Sequence, residues 1–177
     1  TEPHTGSDAA AIKTRAVKDG DHYIINGAKQ FITSGHNACV IIVFAVTDPS
    51  AGKKGMSAFL VPRNTPGYEV IRVEEKLGLH ASDTCQIALT DVRVHKSMLL
   101  GKEGEGFKIA MATLDGGRIG VAAQSVGLAQ GALEAAIKYS KERVQFGKPI
   151  STNQAISFKL ADMATDVEAA RLMVYRA

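Results

Sequence analysis

The sequence predicts an α+β fold in two parts: a small β-barrel or sandwich over residues 1–100, then two long helices over residues 101–177. Three observations predict it. Before about residue 100 the apolar residues come in short, β-branched runs bounded by turn residues. After it, Ala, Leu, Met, Lys and Glu recur at helical spacing. The two patterns do not interleave, so strands and helices segregate.

The chain opens on TEPHTGSDAA. Glu2 and Asp8 bracket a Pro, a His, a Gly and small hydroxyl residues, a rigid turn followed by exposed backbone N–H groups. Such a run reads as the middle of a site, so a preceding segment is expected. Strands are predicted at Ile12–Lys18, His22–Asn26, Ala28–Thr33, Ala38–Thr47, Met56–Pro62, Tyr68–Val73 and Thr84–Val94. KDGD turns the first into the second, and Asn26-Gly27 reads as a type I′ hairpin turn. ACVIIVFAV, within the fourth, is apolar throughout and is expected to be buried on both faces. About seven short strands suit a barrel or sandwich.

GKEGEGF is a glycine-rich entry to a helix running from about Gly106 to Arg143. Phe107, Met111, Leu114, Val121, Leu128 and Ala132 line one face of it, and Ile109, Ile119, Val126, Leu133 and Ile137 another. Gly147 reads as the residue just past the helix end, with Pro149 barring continuation. Ser151 opens a second helix with Ile156, Leu160, Met163, Val167 and Val174 as its stripe. Two helices with this much apolar surface do not complete a bundle, so a C-terminal segment is expected as well.

Composition narrows the class. The apolar fraction of 45% and charged fraction of 22% are those of a soluble globular protein large enough to fold without staples. A net charge of +3 suits an anionic ligand but lacks the dense basic clusters of a nucleic-acid binder. No apolar run reaches the length of a membrane span, and no signal-peptide pattern opens the chain. Cys39 and Cys85 read as buried free thiols, with a disulfide between them the alternative. His4, His22, His36, His80 and His95 show no metal-ligand spacing, and neither a catalytic triad nor a phosphate-binding fingerprint is present.

Four short runs have both a bland and a chemical reading. TGSD is either a turn or a set of amides and a hydroxyl offered to a polar ligand group. KQFITSG is either a half-buried strand with Phe31 in the core, or a place where Phe31 covers a flat ring and Thr33 donates to it. LDGGR is either a kink with an intrahelical Asp115–Arg118 ion pair, or a groove where a ligand passes the backbone at Gly116 and Gly117. In KERVQFG, Lys141 and Arg143 suit a helix C-terminus, and Ser151 with Gln154 suits a capping box.

In this order and spacing, TEPHTGSDAA, YIINGAKQFITSG, GEGFKIAMATLDGGRIGVAAQSVGLAQGAL, ERVQFGKPIS and QAISFKLADMA resemble the acyl-CoA dehydrogenase family along the whole chain. TLDGGRIG is most similar to its short-chain, butyryl-type branch. The resemblance implies a middle β-domain plus the first two helices of a C-terminal four-helix domain, hence an incomplete bundle. It implies that Thr1, Gly6, Ser7, Phe31, Ile32 and Thr33 lie along FAD, with Phe31 where the family commonly has Trp. Ser7, Asp115, Gly116, Gly117 and Arg118 would meet the acyl-CoA. Arg143, Phe146 and Gln154 would reach the FAD of a neighbouring subunit in a homo-oligomer, a dimer of dimers. The implied reaction is oxidation of a short-chain acyl-CoA to the trans-2-enoyl-CoA, with electrons passed to an electron-transferring flavoprotein, in the bacterial cytoplasm or mitochondrial matrix.

Two departures are small: Thr5 replaces the more usual Ala, Gly or Asn, and His95 stands where Pro is frequent. The larger one is the base. The family's carboxylate lies in most branches in a YEGT-like motif, which would fall beyond Ala177, and in others on the LDGGR helix, where Gly117 has no side chain to serve. No catalytic residue is therefore assigned within the chain, which is expected to be inactive alone. An acyl-CoA oxidase, a glutaryl-type dehydrogenase and a non-catalytic binding homologue are the alternatives.

Overall fold

The computed structural model describes all of residues 1–177. In its first unit, Thr1–Met111, Gly20 takes φ 58° and turns β1 (Arg15–Asp19) straight into β2 (His22–Thr33), with Asp19 paired to His22. β3 (Val40–Val46), β4 (Met56–Pro62), β5 (Tyr68–Val73), β6 (Thr84–His95) and the short β7 (Leu99–Leu100) complete one sheet in the order β5-β6-β2-β1-β3-β4-β7. Every pairing is antiparallel except β1 with β3, which meet in parallel at Arg15 and Val46.

The sheet curls. Two strands separate β2 from β4, which in a flat sheet would hold them about 14 Å apart. Yet the Tyr23 and Phe59 rings meet at 4.9 Å between centroids. The curl closes one core around Ile25, Val43, Phe59, Val61, Ile87 and Val92. The edges β5 and β7 stay unpaired, so the barrel is open. β3 alternates, with Ile41, Val43 and Ala45 inward while Val40 and Ile42 are exposed; the expected two-sided burial is not observed.

The expected hairpin at Asn26-Gly27 is absent, and β2 runs through it. The two residues form a bulge against β6, where the register shifts between Ile25 and Gly27. The Asn26 side chain is spent across the bulge: its Nδ2 donates to Asp91 Oδ1 at 3.0 Å and its Oδ1 accepts from the Asp91 N–H at 2.8 Å. A Cβ on Gly27 would overlap Thr14, so glycine serves close approach rather than a turn. β1 starts at Arg15, later than expected, because Ala9–Ala11 form a 3₁₀ turn. Another 3₁₀ segment, Pro49–Gly55, joins β3 to β4. Cys85 is buried and Cys39 exposed, and both are free thiols.

The glycine-rich entry seats the start of α1 (Gly106–Glu142) against β4. Gly104 takes φ 84° and donates its N–H to Ser57 Oγ at 2.9 Å. A Cβ on Gly106 would stand 2.7–2.8 Å from the Ser57 backbone. Only a glycine lets the helix approach so closely.

The second unit, Ala112–Ala177, holds the rest of α1, a hairpin of β8 (Val144–Gln145) and β9 (Lys148–Pro149), and α2 (Gln154–Arg176). α1 and α2 run antiparallel, tied by Arg171 Nη2 donating to Gln130 Oε1 at 2.7 Å. Of the two apolar faces of α1, one buries Leu133 and partly buries Val126 and Ile137 while Ile119 stays exposed, and the other exposes Leu114, Val121 and Leu128. Gly147 is not a helix terminator. With Phe146 it forms the two-residue turn of the β8–β9 hairpin, at φ 51° and 74°, the left-handed pair of a type I′ turn. Ser151 lies in a 3₁₀ turn, and Asn153 occupies the cap of α2 with no side-chain bond, so the capping box does not form. No helix is long and apolar enough to cross a membrane.

Gly106→Ala pushes a methyl into the β4 backbone and is expected to destabilise the first unit by about 1–3 kcal/mol. Gly116→Ala, on the same helix with nothing within 4 Å, is expected to stabilise by up to about 1 kcal/mol. Urea midpoints of the two variants check the opposite signs.

Candidate functional site

The first turn of the chain is closed on itself. Glu2 and Thr5 exchange backbone hydrogen bonds at 2.8 and 3.1 Å around Pro3-His4, and the Thr5 hydroxyl donates to the Asp8 carbonyl at 2.7 Å. The turn is then clamped from below. The Glu2 carboxylate accepts from Lys29 Nζ at 2.7 Å, the Lys13 N–H at 2.6 Å and the Thr14 N–H at 3.1 Å. Lys29 Nζ also donates to the Phe44 carbonyl on β3 at 2.7 Å. Side-chain exposure is 3% for Glu2 and 7% for Lys29. Burial pushes the Glu2 carboxyl up, but the Lys29, Thr14 and Lys13 hydrogen bonds and the Lys29 charge hold it down at about 2. Burial lowers the Lys29 ammonium, against the opposing pull of Glu2. Removing either partner strands a buried charge, at a typical cost of about 3–5 kcal/mol.

With the turn fixed, Gly6 and Ser7 are exposed. Neither N–H, nor the Ser7 hydroxyl, has a partner within the chain. Beside them, Thr1 accepts the Gln30 N–H at 3.0 Å, and the β2–β6 register breaks between Lys29 and Ile32. That break places Phe31 at φ 59° with 59% of its surface exposed. It is not a core residue. Ile32 packs against the core, and Thr33 is exposed with a free hydroxyl. Thr1, Gly6, Lys29 and Ile32 line one cavity of about 250 Å³, whose remaining walls are mostly aliphatic.

The turn after Thr33 is braced by Asp83. Its carboxylate accepts from the His36 N–H at 2.9 Å, Asn37 Nδ2 at 2.8 Å and Cys85 Sγ at 3.2 Å. The His36 N–H is the main cause that holds the Asp83 carboxyl down at about 2. Tyr68 donates its hydroxyl to the Gly35 carbonyl at 2.7 Å.

In the second unit, α1 passes unbroken through Gly116 and Gly117. Arg118 Nη1 donates to Asp115 Oδ1 at 3.1 Å, with both side chains largely exposed. Gly117 and Arg118 border an open apolar depression of about 600 Å³ with Leu114, Val121 and Ala122. Arg143 accepts the Ile150 N–H on its carbonyl at 2.9 Å, across the hairpin that carries Phe146. Phe146 is fully exposed, Gln154 begins α2, and none of the Arg143, Phe146 and Gln154 side chains has a partner within the chain.

The candidate residues thus form three groups: Thr1, Gly6, Ser7, Phe31, Ile32 and Thr33 in the first unit; Asp115, Gly116, Gly117 and Arg118 on α1; and Arg143, Phe146 and Gln154 about the hairpin. Sequence reading missed Lys29 and Asp83. A lysine where β2 turns inward needs an acid, and Glu2 was available. No three His, Cys, Asp or Glu side chains are grouped to hold a metal ion.

Residues 1–92 match the family model for the acyl-CoA dehydrogenase middle domain, and residues 104–177 match that for the acyl-CoA dehydrogenase C-terminal domain. The chain belongs to the acyl-CoA dehydrogenase family. It is 55% identical over 177 residues to an acyl-CoA dehydrogenase of Bacillus subtilis, covering 100% of this chain and 47% of the relative. The butyryl-CoA dehydrogenase structure from Megasphaera elsdenii superposes with a TM-score of 0.94 at 53% identity, over 99% of this chain and 46% of that one. A chain from the structure of the electron transferring flavoprotein of Acidaminococcus fermentans gives 0.93 at 57% identity, over 99% and 46%. The chain therefore spans less than half the length of the relatives it matches.

Both clamping carboxylates bind protons more weakly when folded, so the stability they contribute is present at neutral pH. It is lost as pH falls from about 4.5 for Glu2 and 3.8 for Asp83 towards about 2. Melting temperature measured from pH 6 to pH 2 is expected to drop through that window. Asp83→Asn is expected to make the drop shallower.

Proposed function

We propose that this chain is the flavin- and acyl-CoA-facing part of an enzyme that dehydrogenates short-chain acyl-CoA thioesters. The observation that carries the reading is the rim of the first unit. An aromatic ring is held in solvent by a strained backbone at Phe31, next to the free Thr33 hydroxyl, and Gln30 ties this edge to Thr1, beside which Gly6 and Ser7 carry free amides. Such a rim offers a flat heteroaromatic ligand one face and several donors, which fits the isoalloxazine and pyrophosphate parts of FAD. Bound there, FAD would supply the hydride acceptor for the β-carbon of the acyl group.

Within this reading, Thr1, Gly6, Ser7, Phe31, Ile32 and Thr33 orient the flavin of their own subunit. Arg143, Phe146 and Gln154 serve the FAD of a neighbouring copy, which makes the parent a homo-oligomer. Arg118, released from its exposed pairing with Asp115, anchors the acyl-CoA where Gly116 and Gly117 leave the helix surface bare. Ser7, in the first unit, also meets the acyl-CoA. The carboxylate that removes the α-proton lies outside these residues, and the chain alone is inactive. The likeness to the Megasphaera butyryl-CoA dehydrogenase supports a short acyl group. The likeness to a chain from the Acidaminococcus electron transferring flavoprotein structure supports such a flavoprotein as electron acceptor. The bacterial cytoplasm or the mitochondrial matrix is the matching compartment.

The full-length parent is expected to hold one FAD per subunit and to reduce an artificial dye with butyryl-CoA. Absence of flavin, or no turnover with any short acyl-CoA, would contradict the reading. In the same protein Arg118→Ala is expected to lower turnover per bound FAD at unchanged flavin content. Arg143→Ala removes a charge-assisted contact of about 1.5–3 kcal/mol, and so about tenfold or more in FAD affinity. Flavin titration of the apoprotein checks the second, and steady-state kinetics the first.

A further inference from the structure

Lys29 and Glu2 add a buried side-chain tie between segments that backbone hydrogen bonds already link at Thr1–Gln30 and Thr14–Val46. Glu2 belongs to the first turn, Lys13 and Thr14 to the chain entering β1, Lys29 to β2 and Phe44 to β3. Three backbone groups, the Lys13 and Thr14 amides and the Phe44 carbonyl, converge on one buried pair. The position of the pair matters more than its charge. Thr1 and Gln30 are bonded directly beside it at 3.0 Å, and Phe31, the residue out of register, follows at once. The turn that offers Gly6 and Ser7 and the bulge that offers Phe31 and Thr33 therefore hang from one anchor.

We infer that Glu2 and Lys29 are positioning residues that set the Gly6–Ser7 amides against the Phe31–Thr33 edge in the geometry a bound flavin requires. The inference rests on the flavin reading above. A buried ion pair is a poor device for stability alone, because apolar side chains of similar volume often serve as well. It is a good device for direction. The carboxylate takes three donors and the ammonium two acceptors, so neither group can shift without losing a hydrogen bond. An apolar pair would fill the space but leave the turn held to β2 only by the Thr1–Gln30 backbone bond. Neither side chain touches substrate or flavin; each acts through the backbone it holds.

The test uses the full-length parent as holoenzyme and apoprotein. Two double variants remove the charges without stranding one: Glu2→Leu with Lys29→Met, which is apolar, and Glu2→Gln with Lys29→Gln, which keeps hydrogen-bonding capacity. Lys29→Arg keeps the cation. The readouts are melting temperature, FAD dissociation constant and the visible circular dichroism of bound flavin. The apolar pair is expected to melt within a few degrees of the parent while binding FAD at least about tenfold more weakly with an altered flavin dichroism signal. Lys29→Arg is expected to keep most of the affinity. An apolar pair that folds and binds FAD as the parent does overturns the inference. So does failure of both double variants to fold, which would assign the pair to the fold itself. A wild-type parent that takes up no FAD fails the flavin reading instead, and the wild-type titration separates that outcome from the others.

Discussion

Lys29 carries a cation beneath the surface of the curled sheet, where it can remain only if a carboxylate and a carbonyl meet it. Glu2 and Phe44 do so, both at 2.7 Å. Desolvation works against each ion, and the mutual attraction and hydrogen bonds offset it. The consequence reaches beyond two residues. Because the carboxylate also takes the Lys13 and Thr14 amides, the turn before β1, the start of β1 and the middle of β2 share one fixed point. The rim residues inherit their places from it.

Strain marks the same places. Five non-glycine residues have left-handed backbone: Phe31, Ser34, Leu79, Asp91 and Phe146. Each such conformation costs on the order of 1–3 kcal/mol. At Asp91 the cost is met locally, by the side-chain exchange with Asn26. At Phe146 it forms the β8–β9 turn, and at Phe31 it accompanies the register break in β2, while both rings face solvent. An aromatic ring held out of the core by a strained backbone is explained by what it is held for. The two phenylalanines sit in different units, Phe31 two residues before the free Thr33 hydroxyl and Phe146 three residues after Arg143, whose side chain has no partner.

Much of this was legible in the sequence where one physical signal dominated. The helix pattern placed α1 within a residue at both ends, although the residues expected to stop it, Gly147 and Pro149, belong to the hairpin that follows. The α+β division followed from the change of period near residue 100. The errors came where one residue type serves two geometries. Asn26-Gly27 suits a hairpin turn and equally a bulge, and only the long-range pairing of β2 with β6 decides between them. Gly147 suits a helix terminus and equally a type I′ turn; the two-residue strands that decide are too short to show a period. Ser151 and Gln154 have the right spacing for a capping box, but the 3₁₀ turn at Ile150–Thr152 moves the cap to Asn153. Lys29 and Asp83 were invisible for another reason. Their partners lie 27 and 46–47 positions away, a separation no local pattern encodes. The exposure of Phe31 was likewise undecided until the register break was seen.

The central claim is that the first turn and the Phe31–Thr33 edge form one ligand-facing rim. Hydrogen–deuterium exchange on the full-length parent, with and without FAD, tests it most directly. The account predicts that FAD slows exchange at Gly6, Ser7 and the amides of residues 31–34, while the Lys13 and Thr14 amides, already bonded to Glu2, are slow in both states. Protection confined to other segments, with Gly6 and Ser7 exchanging equally fast with and without FAD, would contradict it.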